Sequence, residues 1–174
     1  MEVIIIFAIA LAVFILLGCV KAPPDRALVI SGRKKQPRIL IGRTGFRIPF
    51  FERTDSLYLQ QVTVPVNSNS TSTNDFINVN IEAVIKIRIC LESETISRAM
   101  TNFLNKSPQE IIEDTQDTLV GKLREIIGTL TLKELSQNRD KLSEAFRNAA
   151  GGDMHELGLE IVTCSIQNVS LYQG

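Results

Sequence analysis

Between Ile77 and Ile89 the chain reads INVNIEAVIKIRI, and this alternation constrains the fold more than any other stretch. Ile77, Val79, Ile81, Ala83, Ile85, Ile87 and Ile89 fall on one side of an extended backbone, and Asn78, Asn80, Glu82, Lys86 and Arg88 on the other, with Val84 as the exception. Successive strand residues point to opposite faces, so the pattern predicts a long antiparallel strand with one face on a core and one on water. Such a strand needs partners beside it and a layer over its apolar face.

Other strands are legible before and after it in the chain. LEIVTCSIQNV, residues 159–169, predicts a closing strand, and DSLYLQQVTVPV, residues 55–66, alternates imperfectly through Leu57, Leu59, Val62, Val64 and Val66. Between residues 67 and 75, NSNSTSTND offers nothing to pack and is expected to be a polar loop. Further upstream, Ala27–Ile30 and Arg38–Ile41 flank a turn with Gly32 and Pro37 and a basic tip of Arg33, Lys34 and Lys35. In GFRIPFFERTD, residues 45–55, the period of two is that of Phe46, Ile48 and Phe50 facing a core with Arg47 and Arg53 solvated, and the alternative reading puts Pro49, Phe50 or Phe51 at a lipid interface flanked by the arginines.

The covering layer is helical. A short helix is expected over Glu94–Leu104, and a strong one begins at Ser107, with Pro108 in its first turn and Glu110 completing a capping box. Ile111, Thr115, Leu119, Leu123, Ile126 and Leu130 recur along it at helical spacing. Thr131 and Glu134 repeat the capping box for a short helix. A last helix spans about Arg139–Leu157 with Leu142, Phe146 and Ala149 on one side, Gly151 and Gly152 weakening its end and Gly158 suited to a left-handed stop. The fold class that follows is α+β: an antiparallel sheet covered on one face by amphipathic helices.

Ahead of all this, Val3 to Val20 carries no charge. As a helix it would span roughly 27 Å, close to the ~30 Å hydrocarbon core of a bilayer. The run exceeds a signal-peptide core, no Lys or Arg precedes it and no small-residue cleavage site follows. A retained N-terminal transmembrane helix is therefore expected, with residues 1–22 as membrane anchor and Pro23 and Pro24 as a stiff exit. Lys21, Arg26, Arg33, Lys34, Lys35 and Arg38 follow the run and only Glu2 precedes it, so the positive-inside rule places the domain in the cytoplasm as a single-pass protein. LLGC, residues 16–19, is similar to a bacterial lipoprotein box. Cys19 is thus a candidate for lipidation, either as a mature N-terminus in a periplasmic alternative or as a palmitoylated thiol.

Residues 1–54 hold nine Lys/Arg against three Asp/Glu, while the whole chain is neutral. A basic front half beside an apolar leader points to anionic lipid rather than to nucleic acid. Candidate lipid contacts are Arg33, Lys34, Lys35, Arg38, Phe50, Phe51 and Arg53. Glu113, Asp114 and Asp117, on the long helix, are candidates for contact with the basic half of another copy. Three widely spaced cysteines make neither a disulfide framework nor a zinc pattern, and His155 is the single histidine. No catalytic motif, cofactor or metal is expected, although an unrecognised hydrolase stays open as an alternative.

In this order, the apolar leader, PPDRALVISGR, RILIG, GFRIPFFERTD, the long alternating strand, the capped amphipathic helix and LTLKELSQNRDKLSEAF with ELGLEIVTCSIQNV resemble the SPFH (band 7, stomatin–prohibitin–flotillin) family, and its flotillin branch most closely, bacterial members included. The resemblance implies a first, β-rich SPFH subdomain over residues 23–106 and a second, helix-rich one over 107–174. It also implies a non-enzymatic scaffold that forms homo-oligomers or assembles with related subunits, organises lipid microdomains and, in some members, regulates membrane proteases. Two departures stand out. Asn74-Asp75-Phe76 replaces the family's Asp-Gly turn before the long strand. The flotillin branch also continues into a long coiled coil, and no heptad run is present in these 174 residues, which makes the chain either a fragment or a protein without the cage wall.

Overall fold

A computed structural model describes residues 18–32, 37–48 and 51–172. The chain divides into two compact units, the boundary falling between Leu59 and Gln60. The division expected at 106/107 falls inside the second unit.

In the first unit, β1 (Cys19–Lys21) pairs with β4 (Thr44–Phe46) as an antiparallel ribbon. Strands β2 (Arg26–Ser31), β3 (Arg38–Ile41) and β5 (Arg53–Tyr58) form a sheet ordered β3-β2-β5. The β2–β3 register, Ala27 opposite Ile41 through Ile30 opposite Arg38, is that of the hairpin expected around the basic turn. Ala27, Val29, Ile30 and Leu57 are its buried apolar residues.

The extended chain begins earlier than expected. Cys19 and Val20 belong to β1, which β4 holds in extended form, so no more than Val3–Gly18 stays available for a span, about 24 Å of helix. Residues 3–17 lie outside the described residues. Among the described residues no helix is long and apolar enough to cross a membrane.

The second unit is built on β7 (Asn78–Ile89), flanked by β6 (Val62–Ser72) and β8 (Leu159–Leu171) in the order β6-β7-β8. Register carries the alternation across all three strands. Val62, Val64 and Val66 lie opposite Ile87, Ile85 and Ala83, and on the other side Leu159, Ile161 and Ile166 lie opposite Ile89, Ile87 and Ala83. Residues directly opposite in an antiparallel pair share a face, so these side chains and the odd-numbered residues of β7 make one buried surface.

Four helices follow the hairpin: α1 (Ser93–Phe103), α2 (Pro108–Thr129), α3 (Leu132–Gln137) and α4 (Arg139–Leu157). Helix α2 packs on β6 and α4 on β8, and α4 also meets α1, α2 and α3. The buried stripe of α2 is Ile111, Thr115, Leu119, Leu123, Ile126 and Ile127. That of α4 is Leu142, Phe146, Ala150 and Met154; Ala149, expected inside, is exposed because the 3.6-residue period lands one position later. Both capping boxes are present, Ser107 with Glu110 and Thr131 with Glu134. Gly158 ends α4 with φ 95°, and a Cβ there would lie 2.5 Å from the Cα of Ala99. Only glycine combines that backbone with that approach.

Three expectations need correction. In place of one antiparallel sheet there are three separate ones among the described residues. Residues 55–66 are not one strand but β5 and β6, which belong to different sheets. The polar stretch after Val66 is not a loop: β6 runs on to Ser72, paired with β7 and interrupted by a bulge between Ser68 and Thr71. Backbone ladder bonds do not depend on side-chain polarity. The bulge is further fixed by the Ser68–Thr71 hydroxyl contact of 2.5 Å and by Ser70 N–H donating to Asn80 Oδ1 at 2.8 Å. At the outer rim of β6, Pro65 has no N–H to offer, and its carbonyl accepts from Gln116 Nε2 at 3.1 Å.

Candidate functional site

The β1–β4 ribbon is where the chain leaves its apolar run. Its ends are fastened by Arg47 N–H donating to Gly18 O at 2.8 Å and Ala22 N–H donating to Arg43 O at 3.0 Å. Gly18 lies against the Phe46 ring, and a Cβ at Gly18 would come within 2.6 Å of Phe46 Cζ. Beyond β4 the backbone turns: Glu52 N–H donates to Ile48 O at 3.1 Å and Phe51 N–H to the same oxygen at 3.3 Å. The Glu52 side chain is only 7% exposed. It accepts Ile48 N–H at 2.8 Å and both of its oxygens take the Arg38 guanidinium at 2.9 Å, while Arg38 also reaches Phe46 O at 3.3 Å. A carboxylate so held acts as the staple of the turn.

The staple leaves Phe51 on the outside, 74% exposed, followed by the exposed Arg53 that opens β5. A Cβ on Gly32, at the start of the basic turn, would lie 2.7 Å from Phe51 O. Gly32 and the Phe51 backbone are thus neighbours. Of the expected lipid contacts, Arg38, Phe51 and Arg53 are therefore placed on one small region, although Arg38 is committed to Glu52. Arg33, Lys34, Lys35 and Phe50 lie outside the described residues. Phe46 and Arg47 reverse the expected pattern. Phe46 is 41% exposed, and Arg47 is half-buried with an Nε that has no hydrogen-bond partner among the described residues, because the segment is a two-stranded ribbon and turn rather than a core strand. The Cys19 thiol is exposed on β1.

On α2, Glu113, Asp114 and Asp117 are all exposed. Asp114 is paired within the chain to Lys106 at 2.5 Å. Lys122, about two turns on, is shared between Glu125 at 3.1 Å and Asp153 of α4 at 3.3 Å, and both acids raise its pKa. Among the described residues Glu113 and Asp117 thus have no ion pair, unlike Asp114.

Two features escape a reading of the sequence. The turn Asn74-Asp75-Phe76 is tight. Thr73 accepts Phe76 N–H on its carbonyl and Ile77 N–H on its hydroxyl, the Asp75 carboxylate takes the Thr73 hydroxyl, and Phe76 sits at φ 59° with its ring 91% exposed. The other is a meeting of Cys90, Glu92 and His155, whose donor atoms lie within 4.8 Å of one another. Cys90 follows β7, Glu92 precedes α1 and His155 stands in the last turn of α4. Their separation in sequence hides them; the one available signal is that two of them sit just past the strand that α4 returns to.

The profile of the SPFH domain / Band 7 family matches residues 20–173. Among curated proteins the chain is 29% identical over 155 residues to Flotillin-2 of Bos taurus, covering 87% of this chain and 36% of that one. It is 28% identical to Flotillin-2 of Homo sapiens over the same shares. To the Flotillin-like protein FloT of Bacillus subtilis (strain 168) it is 29% identical over 160 residues, 85% of this chain and 31% of that one. The chain thus spans about a third of the length of these relatives.

Proposed function

We propose that this chain, which belongs to the SPFH domain / Band 7 family, is a membrane-anchored flotillin-like scaffold that self-associates and gathers lipids and client membrane proteins. Residues 3–18 embed in the bilayer on this reading, and the first unit rests on anionic lipid through Phe51, Arg53 and the basic turn of Arg33, Lys34 and Lys35. An uncharged run of about 24 Å is shorter than the ~30 Å core, so the bilayer thins locally or polar flanks reach inward around it. Glu113 and Asp117 of one copy face the basic half of the next, and confinement on the membrane raises their effective concentration. Membrane proteases are among the clients this arrangement suits.

The observation that carries the reading is the ribbon at Gly18. The backbone is fastened to β4 directly after the apolar run, which leaves no slack between an embedded leader and the exposed Phe51–Arg53 surface. Attachment through Cys19 is the second reading, favoured by the exposure of that thiol on β1.

Sodium carbonate extraction of cell membranes tests the anchor. The full chain is expected in the pellet and a chain lacking residues 1–17 in the wash. Recovery of the full chain in the wash overturns the anchored reading, and intact mass that begins at Cys19 or carries an acyl group selects the second.

A further inference from the structure

We propose that Cys90, Glu92 and His155 bind a thiophilic divalent cation of the zinc class, which clasps the end of β7 to α1 and α4. Cys90 and Glu92 come from the connector between β7 and α1 and His155 from the end of α4, and the backbone frames that carry them are already tied together. Cys90 N–H donates to Gly158 O at 3.0 Å, Gly158 N–H donates to His155 O at 3.1 Å, and Asn102 Nδ2 of α1 donates to Leu157 O at 3.1 Å. Glu92 O accepts Ile96 N–H at 2.8 Å in the first turn of α1, while its side chain makes no capping bond and stays exposed.

The distances suit a metal after small rotations. Bond lengths of about 2.3 Å to sulfur and about 2.0–2.2 Å to nitrogen and oxygen place neighbouring ligands of a tetrahedral zinc roughly 3.3–3.8 Å apart. Here all three atoms lie within 4.8 Å, with His155 Nε2 4.0 Å from Glu92 Oε2. Glu92 and His155 are both exposed side chains, free to close the remaining gap around the buried sulfur. A thiolate and an imidazole select zinc-class ions over magnesium or calcium, which take oxygen donors.

In this cluster His155 Nε2 lies 3.1 Å from Thr95 Oγ1 and 4.0 Å from Glu92 Oε2. With its proton on Nδ1, the imidazole turns the Nε2 lone pair toward the cluster. On loading, the Cys90 thiol gives its proton to solvent, the Thr95–Nε2 hydrogen bond is exchanged for a metal–nitrogen bond, and water completes the fourth position.

The test is titration of the reduced full chain with Co²⁺, following the thiolate-to-metal charge-transfer absorption, then displacement by Zn²⁺ against a chromophoric chelator. One equivalent per chain is expected, together with a thiolate band that survives Cys19→Ser and Cys164→Ser and disappears in Cys90→Ser. Cys90 is buried and its variant can fail to fold, so the exposed Glu92→Gln and His155→Asn decide independently. Each is expected to weaken zinc at least about ten-fold. Absence of the band in the unmodified chain, its persistence in a folded Cys90→Ser chain, or unchanged affinity in both exposed variants overturns the proposal. None of these outcomes depends on membrane attachment.

Discussion

The Asp75 carboxylate in the β6–β7 turn accepts the backbone N–H of Leu132, at 3.2 and 3.3 Å to its two oxygens, and so caps α3 from a hairpin 57 residues away. Asn74 N–H donates to Leu130 O at 2.9 Å beside it. The Asn74-Asp75-Phe76 turn is therefore built into the junction between α2 and α3.

This junction and the two capping boxes are expected to make the second unit acid-sensitive. The Thr73 hydroxyl first, then backbone N–H groups including that of Leu132, hold the Asp75 carboxyl below its ordinary 3.8. Ser107 and Thr131, through their N–H groups and hydroxyls, do the same for Glu110 and Glu134 relative to 4.5. A depressed folded-state value contributes stability above the unfolded value, and that stability is lost as pH falls through the folded one. Melting temperature is expected to stay level down to about pH 5 and to fall below about pH 4. Asp75→Asn should make that fall shallower; an unchanged acid slope would remove Asp75 from the account.

Gly158 and Gly151 should respond to alanine in opposite directions. At Gly158 the added Cβ meets the Ala99 backbone and the residue is left-handed, so denaturant unfolding of Gly158→Ala is expected to show a loss of at least about 2 kcal/mol. At Gly151, inside α4, a Cβ meets nothing within 4 Å, and alanine is expected to add about 0.5–1 kcal/mol.

Vesicle flotation separates ring from charge at the first unit. Phe51→Ser is expected to lower partitioning onto anionic vesicles about ten-fold, from the apolar area withdrawn. Arg53→Gln should lower it about five-fold, and only where the lipid is anionic. Equal binding by Phe51→Ser and the unmodified chain would remove Phe51 from the lipid surface.

Assembly through unlike charges carries a salt signature. Crosslinked oligomers are expected to decline as ionic strength rises and the screening length shortens, and to be lost in Glu113→Lys/Asp117→Lys. Asp114→Asn should matter less, because Lys106 already holds that carboxylate within the chain. Oligomers that persist at high salt would rule out this contact.

The parts of the fold that were legible in the sequence are those specified locally. The β7 alternation, both capping boxes and the Gly158 stop are written in adjacent residues, and each is present in the structure. What stayed hidden depends on partners elsewhere in the chain. Asn67 to Ser72 form a strand because β7 supplies the ladder, so a composition typical of loops misleads. Cys19 and Val20 are extended because β4 pairs with them, although their side chains continue an apolar run. Phe46 alternates like a core residue yet lies on a two-stranded ribbon that offers no interior. Cys90, Glu92 and His155 meet only once α4 returns to the end of β7.

Pro65 and Gln116 have a consequence for how copies can meet. Where β6 faces outward, one residue lacks a donor and its acceptor is already taken by a side-chain amide. A neighbouring chain that tried to continue the ladder there would meet a break at Pro65, where no donor is offered and the acceptor is occupied. A proline at such a rim works against edge-to-edge pairing at that position.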